Sequence, residues 1–281
     1  MRYTPSVGFQ PADPRRTVLR SALATFRGGI AAALAGRAVL LGRGIFYLLI
    51  IAVLRTFWDF VTRERLEGTL APLLPASGLV VYVSITEWMT LSVPSIHLRL
   101  EDDIRSGALE AHLLRPVPYP LLRIAEAVGG LVVRLIVLSA LGIVSLGFVA
   151  RSWPPLVVWP CIALLSILGG VVGTLMFALV GMCAFWTRRT LPMFLSVQKL
   201  SFLLGGLFAP VTLYPGWLRW IAEASPFAAQ LYWPAALSVT PDSATFLRAM
   251  RSEVFWLAAL SLLLAGMWRA GLKRILRQGL S

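Results

Sequence analysis

Six apolar stretches follow one another along the chain, at 38–60, 78–96, 121–150, 156–186, 191–210 and 254–268, with charged or turn-rich segments between them. A hydrocarbon core of about 30 Å is crossed by about 20 helical residues rising about 1.5 Å each. Lipid offers the backbone no hydrogen-bond partner, so each stretch must satisfy its own amides as a helix. Only 14% of the 281 residues are charged and 58% are hydrophobic, too little charge to keep a soluble surface wet. The fold class read from this pattern is all-α, a polytopic membrane protein with six transmembrane helices. It forms a single domain: a leader and interfacial helix over 1–37, a six-span bundle over 38–268 and a tail over 269–281.

The ends of the chain refine this picture. Between Arg16 and Ile30, Val18, Leu19, Ala22, Leu23, Phe26 and Ile30 share one helical side, and Arg16, Arg20 and Arg27 share another. A basic amphipathic helix ahead of a span lies along the cytoplasmic membrane surface; the alternative is that it extends the first span. Met1 to Pro14 carries three prolines and no apolar core, so no secretory signal is expected there. With the N-terminus inside, Lys and Arg favour the inner segments by about two to one, which places both termini in the cytoplasm. The net charge of +13 then speaks of topology and anionic lipid rather than nucleic acid.

Within the spans, Gly169, Gly173 and Gly181 provide a face on which another helix can approach closely. Cys161 and Cys183 lie too far apart along one helix to form a disulfide, which needs Cα atoms within about 7 Å. Trp217, Trp220 and Trp233, in a Pro-rich stretch over 211–242, suit the membrane interface. Glu87, Arg134 and Lys199 are the conspicuous intramembrane charges. Each costs about 3 kcal/mol alone, so partners are expected. Counted from the cytoplasmic ends they lie about 15, 20 and 13 Å deep, so Glu87 can pair with either cation. They form a structural pair or line a substrate path.

Catalytic and nucleotide chemistry finds no home in the sequence. The only histidines are His97 and His112, and a His97–Glu101 pair reads as a solvated helix face rather than a metal site. No Gly-x-Ser-x-Gly elbow occurs. A phosphate-binding loop needs Lys directly after Gly, but Lys199 follows Gln198 and Lys273 follows Leu272. No cofactor is expected, and if ATP drives this chain, another polypeptide binds it.

The segment from Glu101 to Pro116 is the most informative. Glu101, Asp102 and Asp103 suit a helix N-terminus, and Arg115 with Pro116 suits its end. Ile104, Ala108 and Ala111 or His112 share a side, with Leu109 and Leu113 nearby, apolar residues that the chain's own core need not bury. A short docking helix is expected; the alternative is a loop helix folded against its own spans.

The run Gly107-x-Leu109-Glu110-x-x-Leu113-Leu114-x-Pro116, after the acidic cluster, resembles permeases of the type-2 ATP-binding cassette exporter class. Within that class, Glu101 to Pro116 looks like a bacterial branch whose members carry a Glu-Asp-Ile-Arg-Ser-Gly run there. Tyr214 to Leu218 and Ser225 to Phe227 resemble the external segment before that family's last span. The resemblance implies a bacterial plasma-membrane exporter made of two permeases, identical or related, and two cytoplasmic ATPases. Glu101, Asp102, Asp103, Ile104, Arg105, Gly107, Leu109, Glu110, Leu113, Leu114 and Pro116 would belong to the coupling helix. Residues 211–237 would form short external helices that partly re-enter the membrane. The rival functional reading is a secondary transporter or channel working alone.

Overall fold

A computed structural model of the protein describes residues 14–65, 76–113, 117–149, 153–187 and 189–278. Helix α1 (Pro14–Ala35) breaks at Gly36 and resumes as α2 (Arg37–Arg65). Helix α3 (Ala76–Ser92) bends at Val93-Pro94-Ser95 into α4 (Ile96–Arg105), because proline carries no amide to continue the ladder. Next come α5 (Ala108–Leu113), α6 (Tyr119–Val149), α7 (Trp159–Met182) and α8 (Leu191–Leu204). Helix α9 (Gly216–Ala224) leads through a π turn at Ala228–Tyr232 into α10 (Trp233–Val239), and α11 (Ser243–Gln278) follows. No strand occurs among the described residues.

Six helical segments among the described residues are long and apolar enough to cross a membrane: 16–35, 37–61, 78–105, 119–148, 156–185 and 243–277. The number matches the sequence expectation, but the membership differs. Helix α1 qualifies by length where an interfacial helix was expected. Helix α8, expected to continue to Pro210, has 14 residues and is about 21 Å long. Gly206, at φ +67, turns the chain after it into a conformation that only glycine adopts at little cost. The carbonyls freed there are taken up by α3: Tyr82 Oη donates to Gly206 O at 2.8 Å and Thr86 Oγ1 to Leu207 O at 2.9 Å.

Helix α3 is the hub. Residues from Leu79 to Met89 are buried on every side by α2, α6 and the 228–239 segment. Backbones come close where glycine permits it. A Cβ on Gly169 would sit 2.7 Å from Gln230 O, and one on Gly181 would sit 2.7 Å from Leu100 Cβ. The glycine face of α7 therefore serves two neighbours, the π turn and α4. Helix α1 is fastened to α6 in the same way, Gly29 lying against the Glu126 carbonyl and Gly129 against that of Phe26.

The Trp- and Pro-rich stretch divides in two. Trp217 and Trp220 on α9 are exposed, as an interfacial residue would be, but Trp233 is 5% exposed and packs inside the bundle with the rest of α10. The expectation that Trp233 marks an interface is corrected: a helix pinned between α3, α7 and α11 has no open face.

Candidate functional site

The segment expected to be one docking helix is an elbow. Helix α4 ends at Arg105, Ser106 Oγ donates to Asp102 O at 2.7 Å, and Gly107 takes φ +76 before α5 begins. The acidic residues thus close a helix instead of opening one. Asp103 is buried and accepts hydrogen bonds from Tyr119 Oη and from Arg123 Nε and Nη2, the latter two at 2.8 and 2.7 Å. Arg123 also reaches Glu126 at 2.8 Å. Glu101 accepts from the Thr190 amide at 2.9 Å and from the Thr190 hydroxyl, and it meets Arg105 at 3.3 Å. The elbow is therefore bolted to α6 on one side and to the start of α8 on the other.

Leu109 does not face outward. It is 1% exposed and joins the core with Leu100, Tyr119 and Phe185, so the chain's own core does bury it. Ile104 is half-buried against the same cluster. The outward surface consists of Asp102, Arg105, Ser106, Gly107, Ala108, Glu110 and Ala111. Leu114 and Pro116, and the side chain of Leu113, lie outside the described residues. His97 is also buried, stacked on Phe194 at 3.9 Å between ring centroids, which corrects the solvated-face reading of His97 and Glu101.

A cavity of about 580 Å³ lies between α2, α3, α8 and the π turn. Phe46, Phe177, Phe194, Phe202 and Phe208 give it an aromatic wall, and Glu87, Gln198, Ser201, Gln230 and Arg43 supply the polar groups. Glu87 is 3% exposed and makes no ion pair among the described residues. The pairing expected with Arg134 or Lys199 is not formed: Arg134 lines a different cavity, and Lys199 is exposed on α8, its Nζ 5.5 Å from the Phe202 centroid. The cation that shares the cavity with Glu87 is Arg43, whose Nη1 donates to Leu91 O.

Residues 77–279, from the start of α3 to the end of α11, match the family model described as ABC-2 family transporter protein. The chain belongs to the ABC-2 transporter family. Comparison with the curated proteins found no match. This ABC-2 permease is thus a multi-pass membrane component of an ATP-binding cassette transporter, a family whose permeases associate with an ATP-binding cassette ATPase.

Two polar features of the permease escaped the sequence reading. Arg43 falls near the end of an apolar stretch, where a long cation ordinarily snorkels to the interface, and nothing in its neighbours marks it as turned inward. Glu253 lies just before the stretch taken as the last span, yet α11 begins ten residues earlier, at Ser243, and Glu253 is fully buried. An acidic residue inside an otherwise periodic apolar run is the signal that would have found it.

Proposed function

We propose that this chain is the membrane-spanning permease subunit of an ATP-binding cassette exporter in the bacterial plasma membrane, with both termini and the α4–α5 elbow in the cytoplasm. A separate ATPase hydrolyses ATP and seats the elbow, and two permeases, identical or related, form the pathway between them. The observation that carries this reading is the elbow itself: an exposed polar tip whose base is tied by Asp103 to Arg123 of α6 and by Glu101 to Thr190 before α8. A tip so anchored passes a push from an ATPase into two separate helices. The cavity around Glu87 is where moving substrate meets polar side chains.

Docked surfaces owe most of their affinity to a few residues worth about 2 kcal/mol each, or roughly 30-fold in binding. Reversing two exposed acidic groups, Asp102→Arg with Glu110→Arg, is expected to leave the permease inserted and folded but to weaken ATPase co-purification at least 30-fold and uncouple hydrolysis. Leu109→Asp is the wrong probe, since it places a charge in the permease's own core. Glu87→Gln should alter transport and leave ATPase association unchanged. Normal ATPase binding by the charge-reversed variant, or substrate movement by the permease alone in ATP-free liposomes, would overturn the proposal.

A further inference from the structure

A second cavity, of about 340 Å³, opens between α1, α6 and the bend joining α3 to α4. Its floor is nearly free of side chains, because Gly29 and Ala33 of α1 face Gly130 of α6. Its walls carry four guanidinium groups, Arg43, Arg99, Arg123 and Arg134, and one carboxylate, Glu126. Arg123 is committed to Asp103 and Glu126, and Arg99 shares Glu126 at 3.7 Å. Neither Arg43 nor Arg134 makes an ion pair among the described residues, and both line this one cavity. Nη1 of Arg134 is buried with no hydrogen-bond partner among the described residues.

A guanidinium removed from water with an idle N–H is costly, and a second cation on the same cavity, Arg43, held only by the neutral Leu91 carbonyl, adds to that cost. The missing counterpart is an anion with several acceptor oxygens, which planar guanidiniums bind in pairs of parallel hydrogen bonds. We propose that this cavity binds a phosphate group, with Arg134 and Arg43 as its principal donors and Arg99 at its edge. The volume admits a phosphate together with a glycerol-sized substituent. Leu19, Leu23 and Leu34 of α1 are exposed outside the bundle, an apolar surface along which acyl chains can run. The phosphate is therefore that of an anionic phospholipid headgroup or a free phosphate ion, one chemistry from two sources.

The test uses the full-length permease in mild detergent, its unfolding temperature followed by tryptophan fluorescence. Inorganic phosphate, short-chain phosphatidylglycerol and potassium chloride are titrated separately at constant ionic strength. A saturable rise in Tm is expected for the wild type. Arg43→Gln combined with Arg134→Gln should raise the half-saturating concentration at least tenfold. Gly130→Val should do the same while keeping all four charges, because a Cβ there meets only ordinary contacts at 3.8–4.0 Å and the added methyls occupy the floor. Arg27→Gln, exposed on α1 and outside the cavity, should titrate as the wild type does. Saturation by inorganic phosphate supports the site with the free ion as a sufficient ligand; saturation by phosphatidylglycerol alone supports it with lipid as the source. A response that chloride reproduces, or an unchanged midpoint in Gly130→Val, overturns the proposal even if the double variant fails to fold.

Discussion

The helical segment 78–105, of which the sequence marks 78–96 as membrane-crossing, and helix α2, marked over 38–60, live in different solvents. Five-sixths of the apolar window of 78–105 (83%) is buried inside the protein, against 17% for α2 and for α11. Yet 78–105 is the more polar, burying Ser84, Thr86, Glu87, Ser92, His97 and Asp103. A lipid-facing helix must be apolar because hydrocarbon accepts nothing else, whereas an inner helix can hold polar groups that other helices satisfy. Hydropathy alone does not separate the two environments, since the 156–185 run is among the most apolar of the six and is still two-thirds buried. The outer helices, with Leu41, Ile45, Phe46 and Leu49 of α2 exposed, are the surfaces left for lipid.

The ion pairs offer the sharpest way to break this comparison. Asp103→Ala leaves Arg123 with Glu126 alone and the buried Tyr119 hydroxyl without its acceptor, and is expected to cost about 3 kcal/mol, measured by unfolding in detergent. Glu223→Ala removes the Arg219–Glu223 pair on exposed α9, 2.7 Å long but open to solvent, and should cost about 0.5 kcal/mol or less. Similar losses in the two variants would erase the distinction between inner and outer.

Glycines give the next largest effect. Gly169→Ala drives a methyl to 2.7 and 2.9 Å from two backbone oxygens of the π turn, an overpacking expected to cost about 1–3 kcal/mol. Gly266→Ala on α11 meets nothing within 4 Å and should stabilise the helix by up to about 1 kcal/mol. Opposite signs in Tm are the expected result.

The smallest effect belongs to the start of α11. Asp242 Oδ1 accepts from the Thr245 amide at 2.6 Å, and this bond holds the carboxyl below its usual value of 3.8. A depressed acid contributes stability above its unfolded-state pKa, and that contribution fades as pH falls through the lower folded value. Amide exchange in the first turn of α11 should therefore quicken only in strong acid, below about pH 4, with the bundle interior unaffected. Asp242→Asn should flatten that dependence.

Much of the fold could be read from the sequence because long apolar helices announce themselves. The expected 121–150 and 156–186 became 119–149 and the continuous helical run 156–185. What periodicity could not assign was partnership. Lys199 and Arg43 are both cations inside apolar runs, and only packing decides that one faces out and the other into a cavity. Leu109 looked free because the core cluster it joins draws on residues such as Tyr119 and Phe185, which lie 10 and 76 residues further along. Gly107 was visible as part of a family-like motif, yet its role as the corner between two helices depends on a backbone angle that composition does not encode. The elbow's location was legible, then, and the direction of each of its side chains was not.

The Glu101–Thr190 clasp has a mechanical corollary. Helix α8 starts one residue after the clasp and ends, about 21 Å away, at the glycine turn held by Tyr82. Gln198 and Ser201 sit on that rod and face the aromatic-walled chamber. A tilt of about 5° imposed at the clasp sweeps the far end of the rod by about 2 Å, more than half the width of a water molecule. The elbow and the chamber thus share a single short helix, and a tilt imposed at the clasp would change the chamber's bore.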